Sequence, residues 1–308
     1  MGKFEFLWAG RVILLLLLLQ LIPGILGWGK EGHYATCKIA EAYLTSDASA
    51  VVKSLLPSVA KGNLSNICSW PDEIRLNYRW SSSLHFCSTP DFRCNYDFKR
   101  DCHDTKGQEN RCVTAAIYNY TMQLMTYNDS YSSKRYNLTE ALIFLAHFMG
   151  DVHQPLHVGF LGDRGGNTIN VHWYKTHWYQ MKYKLHYIWD NLFIESAMKK
   201  LYSNDLGVMI KSIQKNITDE CSNDLGKWGV CATIEVICPG SYASESIRFA
   251  CKYAYINAMP GATLNDDYFY SRLPVVEMRL AQGGVRLAAV LNGIFGSKSL
   301  FCNIEITS

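Results

Sequence analysis

Between Asn137 and Asp190 the chain carries two histidine–aspartate pairs whose spacing constrains its fold more than any other feature. The first lies in Ala146-His147-Phe148-Met149-Gly150-Asp151-Val152-His153-Gln154-Pro155-Leu156-His157. On a helix running to about Met149 to Val152, His147 and Asp151 fall one turn apart on one face. Pro155 breaks the helix, and His157 follows just beyond it. His186 and Asp190, in Leu185-His186-Tyr187-Ile188-Trp189-Asp190, repeat the i, i+4 spacing. This is a metal-site spacing, and two such pairs in one chain are much rarer than one.

The rest of the sequence reads as helical. Ala35, Ile39, Ala40 and Leu44 recur at helical spacing within Tyr34 to Leu44, and a second helix over Ala48 to Leu56 stops at Pro57. Tyr78 to Arg111 is rich in aromatics, Asp and Cys, has little periodicity, and reads as a disulfide-pinned loop region. Helices resume at Cys112 to Tyr127 and Thr139 to Met149. Glycines make a loop of Gly159 to Asn167. Further helices fit Leu185 to Leu201, Asp205 to Thr218, Ser241 to Tyr255, Asp266 to Leu273 and Val275 to Phe295. Hardly a clean alternating strand is found. With 308 residues, 48% of them hydrophobic, the chain can bury a sizeable core. The reading is all-α, a single compact domain with long disulfide-braced loops.

The first 27 residues read as a secretory signal. Lys3 and Arg11 precede the apolar run Val12 to Leu21, a Pro23-Gly24 break follows, and Gly27 is the small residue before the expected cut. The run is short for a bilayer span, and no other stretch is long and apolar enough. Eleven cysteines in a secreted chain imply disulfides, with an odd one left over, and their spacings do not form zinc-finger pairs. Sequons at Asn63, Asn119, Asn128, Asn137 and Asn216 agree with passage through the secretory pathway. An extracellular or vacuolar glycoprotein is expected. The formal charge of +3 gives no bulk attraction to nucleic acid, so an anionic substrate must be held locally.

Histidine and carboxylate ligands without thiolate suit Zn²⁺ best. The candidates, His33, Asp72, His85, His147, Asp151, His157, His186 and Asp190, exceed the four that one closed structural site needs, which suggests more than one zinc in a catalytic arrangement. His103, His153, His172 and His177 have no such spacing and read as ordinary hydrogen-bonded residues.

These residues carry a resemblance. The ordered pattern covers nearly the whole mature chain: Trp28 with His33, Trp-Pro-Asp-Glu at 70–73, Leu84-His85-Phe86 with Thr89-Pro90-Asp91, His147-x3-Asp151-x5-His157, Gly165-Gly166-Asn167-Thr168 and His186-x3-Asp190. It resembles the plant and fungal zinc-dependent bifunctional nucleases, secreted single-strand endonucleases with 3′-nucleotidase activity. The resemblance implies a mainly helical fold, related to that of bacterial phospholipase C, over residues 28–295, with the tail 296–308 open to trimming. It implies three zinc ions: one on Asp72, His85, His147 and Asp151; a second on His157, His186 and Asp190; a third on His33, shared Asp151, and Trp28 through its α-amino nitrogen and carbonyl oxygen. That amine would exist only after signal cleavage. Asp72 would orient the attacking water and take its proton. Phe86 would stack an unpaired base and Asn167 would donate to a phosphate or base. Disulfides would pair Cys37 with Cys68, Cys94 with Cys251, Cys102 with Cys112 and Cys231 with Cys238. Single-stranded DNA, RNA and 3′-mononucleotides are the implied partners of a monomer free of membrane after processing.

The chain departs from the family twice. Ser88 stands where an aspartate is usual, and a hydroxyl cannot accept two donors from a base edge as a carboxylate can. Cys87 beside it is unusual and reads as the unpaired thiol. Asn170 to Lys184 reads as a local insertion before His186, in which Val171-His172-Trp173-Tyr174 is echoed by Thr176-His177-Trp178-Tyr179. Two other readings share the metal chemistry or the fold: a zinc phospholipase C, and a catalytically silent zinc-stabilised glycoprotein. Intact Asp72 argues against silence.

Overall fold

Eleven helices carry the described part of the chain, residues 28–129, 133–174, 181–220, 228 and 237–296 of a computed structural model. Helix α1 (Lys30–Ala42) is followed by α2 (Ser46–Leu55), which Thr45 caps by accepting from the Ala48 N–H. Short helices α3 (Trp70–Glu73) and α4 (Phe98–Asp101) punctuate the loop region. Then come α5 (Val113–Leu124) and α6 (Leu138–His153). Helix α7 (Leu185–Tyr187) runs through a π-helical turn (Ile188–Leu192) into α8 (Phe193–Leu201). Helices α9 (Leu206–Glu220), α10 (Pro239–Phe249) with its own π-helical turn (Ala250–Ala254), and α11 (Asp266–Phe295) complete the set.

Helix α6 is the axis of the molecule. Every residue from Ala141 to His153 is buried, as expected of a helix apolar on all sides. It lies against α1, α5, α10 and α11. Its start is set by Asn137, whose side chain accepts from the Glu140 N–H at 3.2 Å. Phe144 stacks on Tyr120, ring centroids 5.1 Å apart, and Phe148 packs beside Phe144. Such buried side chains contribute roughly 1.5–3 kcal/mol each. Helix α11 crosses α1 at Gly284, where a Cβ would fall 2.5 Å from Ile39 Cγ2, so only glycine allows this approach.

Two features differ from the sequence expectation. Pro274 does not split α11, which stays continuous from Asp266 to Phe295. The proline is exposed and so is Tyr270, four residues earlier, so the carbonyl that loses its partner is at the surface. The second is a small sheet: β1 (Asn170–Trp173) pairs antiparallel with β2 (Lys182–Lys184) and parallel with β3 (Thr263–Leu264). Asn170 to Lys184 is therefore a strand–return–strand unit. Its ends meet where the Leu185 N–H donates to Ile169 O at 2.9 Å, and the tip, 175–180, lies outside the described residues.

Disulfides link Cys37 to Cys68, Cys94 to Cys251 and Cys102 to Cys112. Cys238 is also disulfide-bonded, and Cys87 is a buried free thiol. Cys221, Cys231, Cys302, residues 1–27 and 297–308 lie outside the described residues. Among those described, no helix is long and apolar enough to cross a membrane. Asn119, Asn128, Asn137 and Asn216 are exposed and Asn63 is half-buried.

Candidate metal centre

Five segments converge on the C-terminal half of α6: α1 with His33, α3 with Asp72, the turn ending on His85, the turn after α6 with His157, and α7 with its π-helical turn. Helix α6 presents His147 and Asp151 on one buried face. Helix α1 brings in His33 opposite Gly150, where a Cβ would lie 2.8 Å from His33 Nδ1; Trp28, fully buried, borders the same glycine. A 3-10 turn (Arg79–His85) ends on His85. The segment after it runs beside the chain that follows α6: Cys87 N–H donates to His157 O at 2.8 Å and Thr89 N–H to Gly159 O at 3.0 Å. The π-helical turn after α7 carries Asp190, and the Gly29 N–H donates to its carbonyl at 2.9 Å.

The result is three groups of side chains that can hold a metal ion: His33, Asp72 and His147; His85, His147 and Asp151; and His157, His186 and Asp190. Asp151 joins them. Its Oδ1 lies 3.3 Å from His33 Nε2 and 3.7 Å from His157 Nδ1, while Oδ2 lies 3.0 Å from His85 Nδ1 and 3.3 Å from His147 Nε2. Asp72 faces His33, His85 and His147 at 3.8, 3.6 and 3.7 Å. In the third group, Asp190 Oδ2 is 3.3 Å from His186 Nε2 and Oδ1 is 3.9 Å from His157 Nε2.

Protonation fixes what these atoms can bind. His147 Nδ1 meets Cys68 O at 2.8 Å, His157 Nδ1 meets His85 O at 2.6 Å, and His186 Nδ1 meets Gly165 O at 2.6 Å. A carbonyl only accepts, so each Nδ1 carries a hydrogen and each Nε2 is the nitrogen left to face the cluster. His157 Nε2 and His186 Nε2 then face each other at 3.1 Å. A metal ion beside the Asp190 carboxylate would be bound by both nitrogens. Buried Asp72 Oδ1, Asp151 Oδ1, His85 Nε2 and both His33 nitrogens have no hydrogen-bond partner, and a metal ion would satisfy such a set.

The titration behaviour agrees. Burial raises Asp190 well above the usual carboxylate range, the cost of a buried anion without a cation. Burial alone would raise Asp151 too, yet His147 and His157 hold it well below. Burial opposes protonation of His147, but Asp151 and Asp72 outweigh it and push the imidazole up to about 9, so that without another cation these carboxylates hold a proton on its ring. His33, where burial dominates, falls to about 4.

Sequence reasoning missed Gln154. Its Nε2 donates to Asp190 Oδ1 at 2.5 Å and its Oε1 accepts from the Leu156 N–H at 2.5 Å, so it clamps the turn bearing His157 to Asp190. Its position just before Pro155 was the available signal. His153 points away from the cluster: Nδ1 donates to Met149 O and Nε2 accepts from Arg286. His103 bonds Asp104 O, His172 lies on β1, and His177 is outside the described residues.

Beside His186 opens a cavity of about 350 Å³, lined by Phe86, Ser88, Thr105, Arg164 and Gly165 among others. Phe86 is half-buried and makes no contact with another aromatic ring among the described residues. Asn167 is turned into its loop, donating from Nδ2 to Arg164 O at 2.9 Å.

Comparison with known proteins places this geometry in context. The family model for S1/P1 nucleases matches residues 28–296. Endonuclease 4 of Arabidopsis thaliana is 58% identical over 94% of this chain and 96% of its own length, and Endonuclease 5 of the same plant is 54% identical over 93% and 97%. Nuclease P1 of Penicillium citrinum is 32% identical over 88% of this chain and 99% of its own.

Proposed function

This chain belongs to the S1/P1 nuclease family, and on that premise we propose that it is a zinc-dependent, single-strand-specific endonuclease. It hydrolyses DNA and RNA to 5′-phosphorylated products and removes phosphate from 3′-mononucleotides. The observation that carries this reading is the placement of Asp151, whose two carboxylate oxygens face different imidazoles and join one metal group to the next.

Three zinc ions fit the donor set. His157, His186 and Asp190 would hold one; Asp72, His85, His147 and Asp151 a second; and His33 with Asp151 and the Trp28 amine and carbonyl a third. Bound zinc supplies Lewis acidity, lowering the pKa of a water and offsetting negative charge on the phosphate. The chain's own residues do the rest. Among the ligand carboxylates Asp72 is the most accessible, its side chain 8% exposed against 0% for Asp151 and 2% for Asp190. It is the group that can reach a water, orient it, and accept its proton. Gln154 keeps Asp190 aimed at His157 and His186. Phe86, without a ring neighbour among the described residues, offers a face on which an unpaired base stacks, and a paired base cannot reach it. The leaving atom is the 3′-oxygen, so no 2′-hydroxyl is needed and both nucleic acids serve.

Signal cleavage before Trp28, an extracellular or vacuolar location, N-glycosylation at Asn63, Asn119, Asn128, Asn137 and Asn216, trimming of 296–308 and a monomeric state complete the proposal. The disulfides support an oxidising compartment. The test is a metal count on the mature protein with analysis of product ends. Three zinc ions and 5′-phosphate ends are expected; zinc-loaded, folded protein that cleaves no single-stranded substrate would remove the nuclease reading.

A further inference from the structure

The cavity beside His186 is furnished with hydrogen-bond donors. Arg164, Ser88 and Thr105 line it together with Phe86, and among the described residues no aspartate or glutamate does. Leu156 and Leu161 give it apolar wall. Arg164 is exposed and makes no ion pair among the described residues, so its guanidinium is uncommitted.

Its backbone, by contrast, is tightly held. Arg164 sits in the left-handed region at φ 55°, followed by Gly165 at 63° and Gly166 at 83°. A non-glycine residue there is uncommon and persists where its surroundings over-determine it. The surroundings do so here. Arg164 O accepts from Asn167 Nδ2 at 2.9 Å. Asp163 Oδ1 accepts from the Gly166 N–H at 2.7 Å and from the Tyr255 hydroxyl at 3.1 Å. A Cβ on Gly165 would fall 2.3 Å from Leu156 O, so the loop lies directly on the turn that carries His157. The backbone of the arginine is thus held at a fixed place on the rim of the cavity that Phe86 and His186 also line.

We infer that Arg164 reads the base stacked on Phe86, selecting an edge rich in acceptors, so that the base on the 5′ side of the cleaved bond is preferentially guanine. The inference rests on the nuclease reading. A guanidinium is a planar fork of donors with no acceptor. Guanine presents O6 and N7 side by side, both acceptors, and takes the fork bidentately. Thymine or uracil offers O4 alone. On that same edge adenine and cytosine place an amino donor where the fork would meet it. Ser88 and Thr105 each donate or accept and do not discriminate unaided. A carboxylate at position 88 would favour donor edges instead, so Ser88 with Arg164 reverses the sense of recognition.

The test is equilibrium binding of the four deoxynucleoside 5′-monophosphates, which the proposed reaction releases and does not cleave, to the zinc-loaded mature protein. The wild type should hold dGMP roughly fivefold to a hundredfold tighter than dAMP. R164M should level the four. R164K should keep much of the general attraction and still lose the guanine preference, because an ammonium is a point charge rather than a fork. If R164M weakens all four equally and preserves their order, Arg164 grips the phosphate and the inference fails; an unchanged order and affinity also overturns it. Cleavage of single-stranded DNA by the same wild-type sample separates the two readings. Selective dGMP binding without cleavage removes the nuclease reading, whereas cleavage without guanine selectivity removes only the role of Arg164.

Discussion

His157 and His186 turn their Nε2 atoms to within 3.1 Å of each other while each donates its Nδ1 hydrogen to a backbone carbonyl. Removing metal should therefore destabilise the protein as well as silence it. Chelation is expected to abolish cleavage and lower the melting temperature by several degrees, with Zn²⁺ restoring both. An unchanged melting curve on full metal removal would count against the shared-cation geometry.

Asp72 is the ligand carboxylate that solvent reaches. Asp72→Asn should fold, retain most zinc and lose turnover by roughly 10²–10⁴-fold. Steady-state rates beside a metal count check this, and normal turnover would take Asp72 out of the mechanism.

Gly150 has no room for a methyl group, since its Cβ would fall 2.8 Å from His33 Nδ1. Gly150→Ala should displace His33, cost about 1–3 kcal/mol by denaturant unfolding, and reduce bound zinc. Retention of all zinc at wild-type stability would show that His33 has space to give.

Trp28 is the proposed first residue of the mature chain. Protein carrying one added residue before it should bind one zinc fewer by elemental analysis, with the fold intact by circular dichroism. A full metal count in that protein would remove the terminal amine as a ligand.

Glu245 accepts from Arg286 at 2.6 and 2.8 Å and from fully buried Arg279 at 2.9 Å. Burial works to raise its pKa, but the two guanidiniums outweigh it and hold the carboxyl below its ordinary value. A depressed folded pKa stabilises the protein above about pH 4.5, the unfolded value, and that contribution is lost as pH falls through the folded one. Glu245→Gln should cost about 2 kcal/mol near neutrality, and the gap to wild type should shrink as pH drops below about 4.5. A gap that stays constant with pH would exclude this linkage.

Much of this was legible in the sequence because it is local. The i, i+4 pairs His147/Asp151 and His186/Asp190 declare their geometry through helical periodicity, and Pro155 marks the break before His157. What escaped is contact between distant segments. Gln154 gains its role only because α6 ends against the turn bearing Asp190. Arg164 looks like any loop arginine until the left-handed turn seats it on the Phe86 cavity. Pro274 reads as a helix stop, and only its exposure lets α11 continue. The strands β1 and β2 are too short for alternation to show, and β1 takes a parallel partner from residues 263–264.

The Cys37–Cys68 disulfide joins the two walls of the metal centre. Cys37 lies one turn beyond His33 on α1, and the carbonyl of Cys68 fixes the hydrogen on His147. Assembly of the centre is thereby tied to oxidation. A chain lingering in the reducing cytosol would lack this tie, leaving His33 and His147 less firmly opposed, and the messages of the cell that makes it would meet a blunted enzyme. On the proposed secretory route, competence would arrive with oxidation of this pair, and the same bond would serve as a safeguard against self-digestion. A reductant titration that releases zinc before the helices melt is the expected signature.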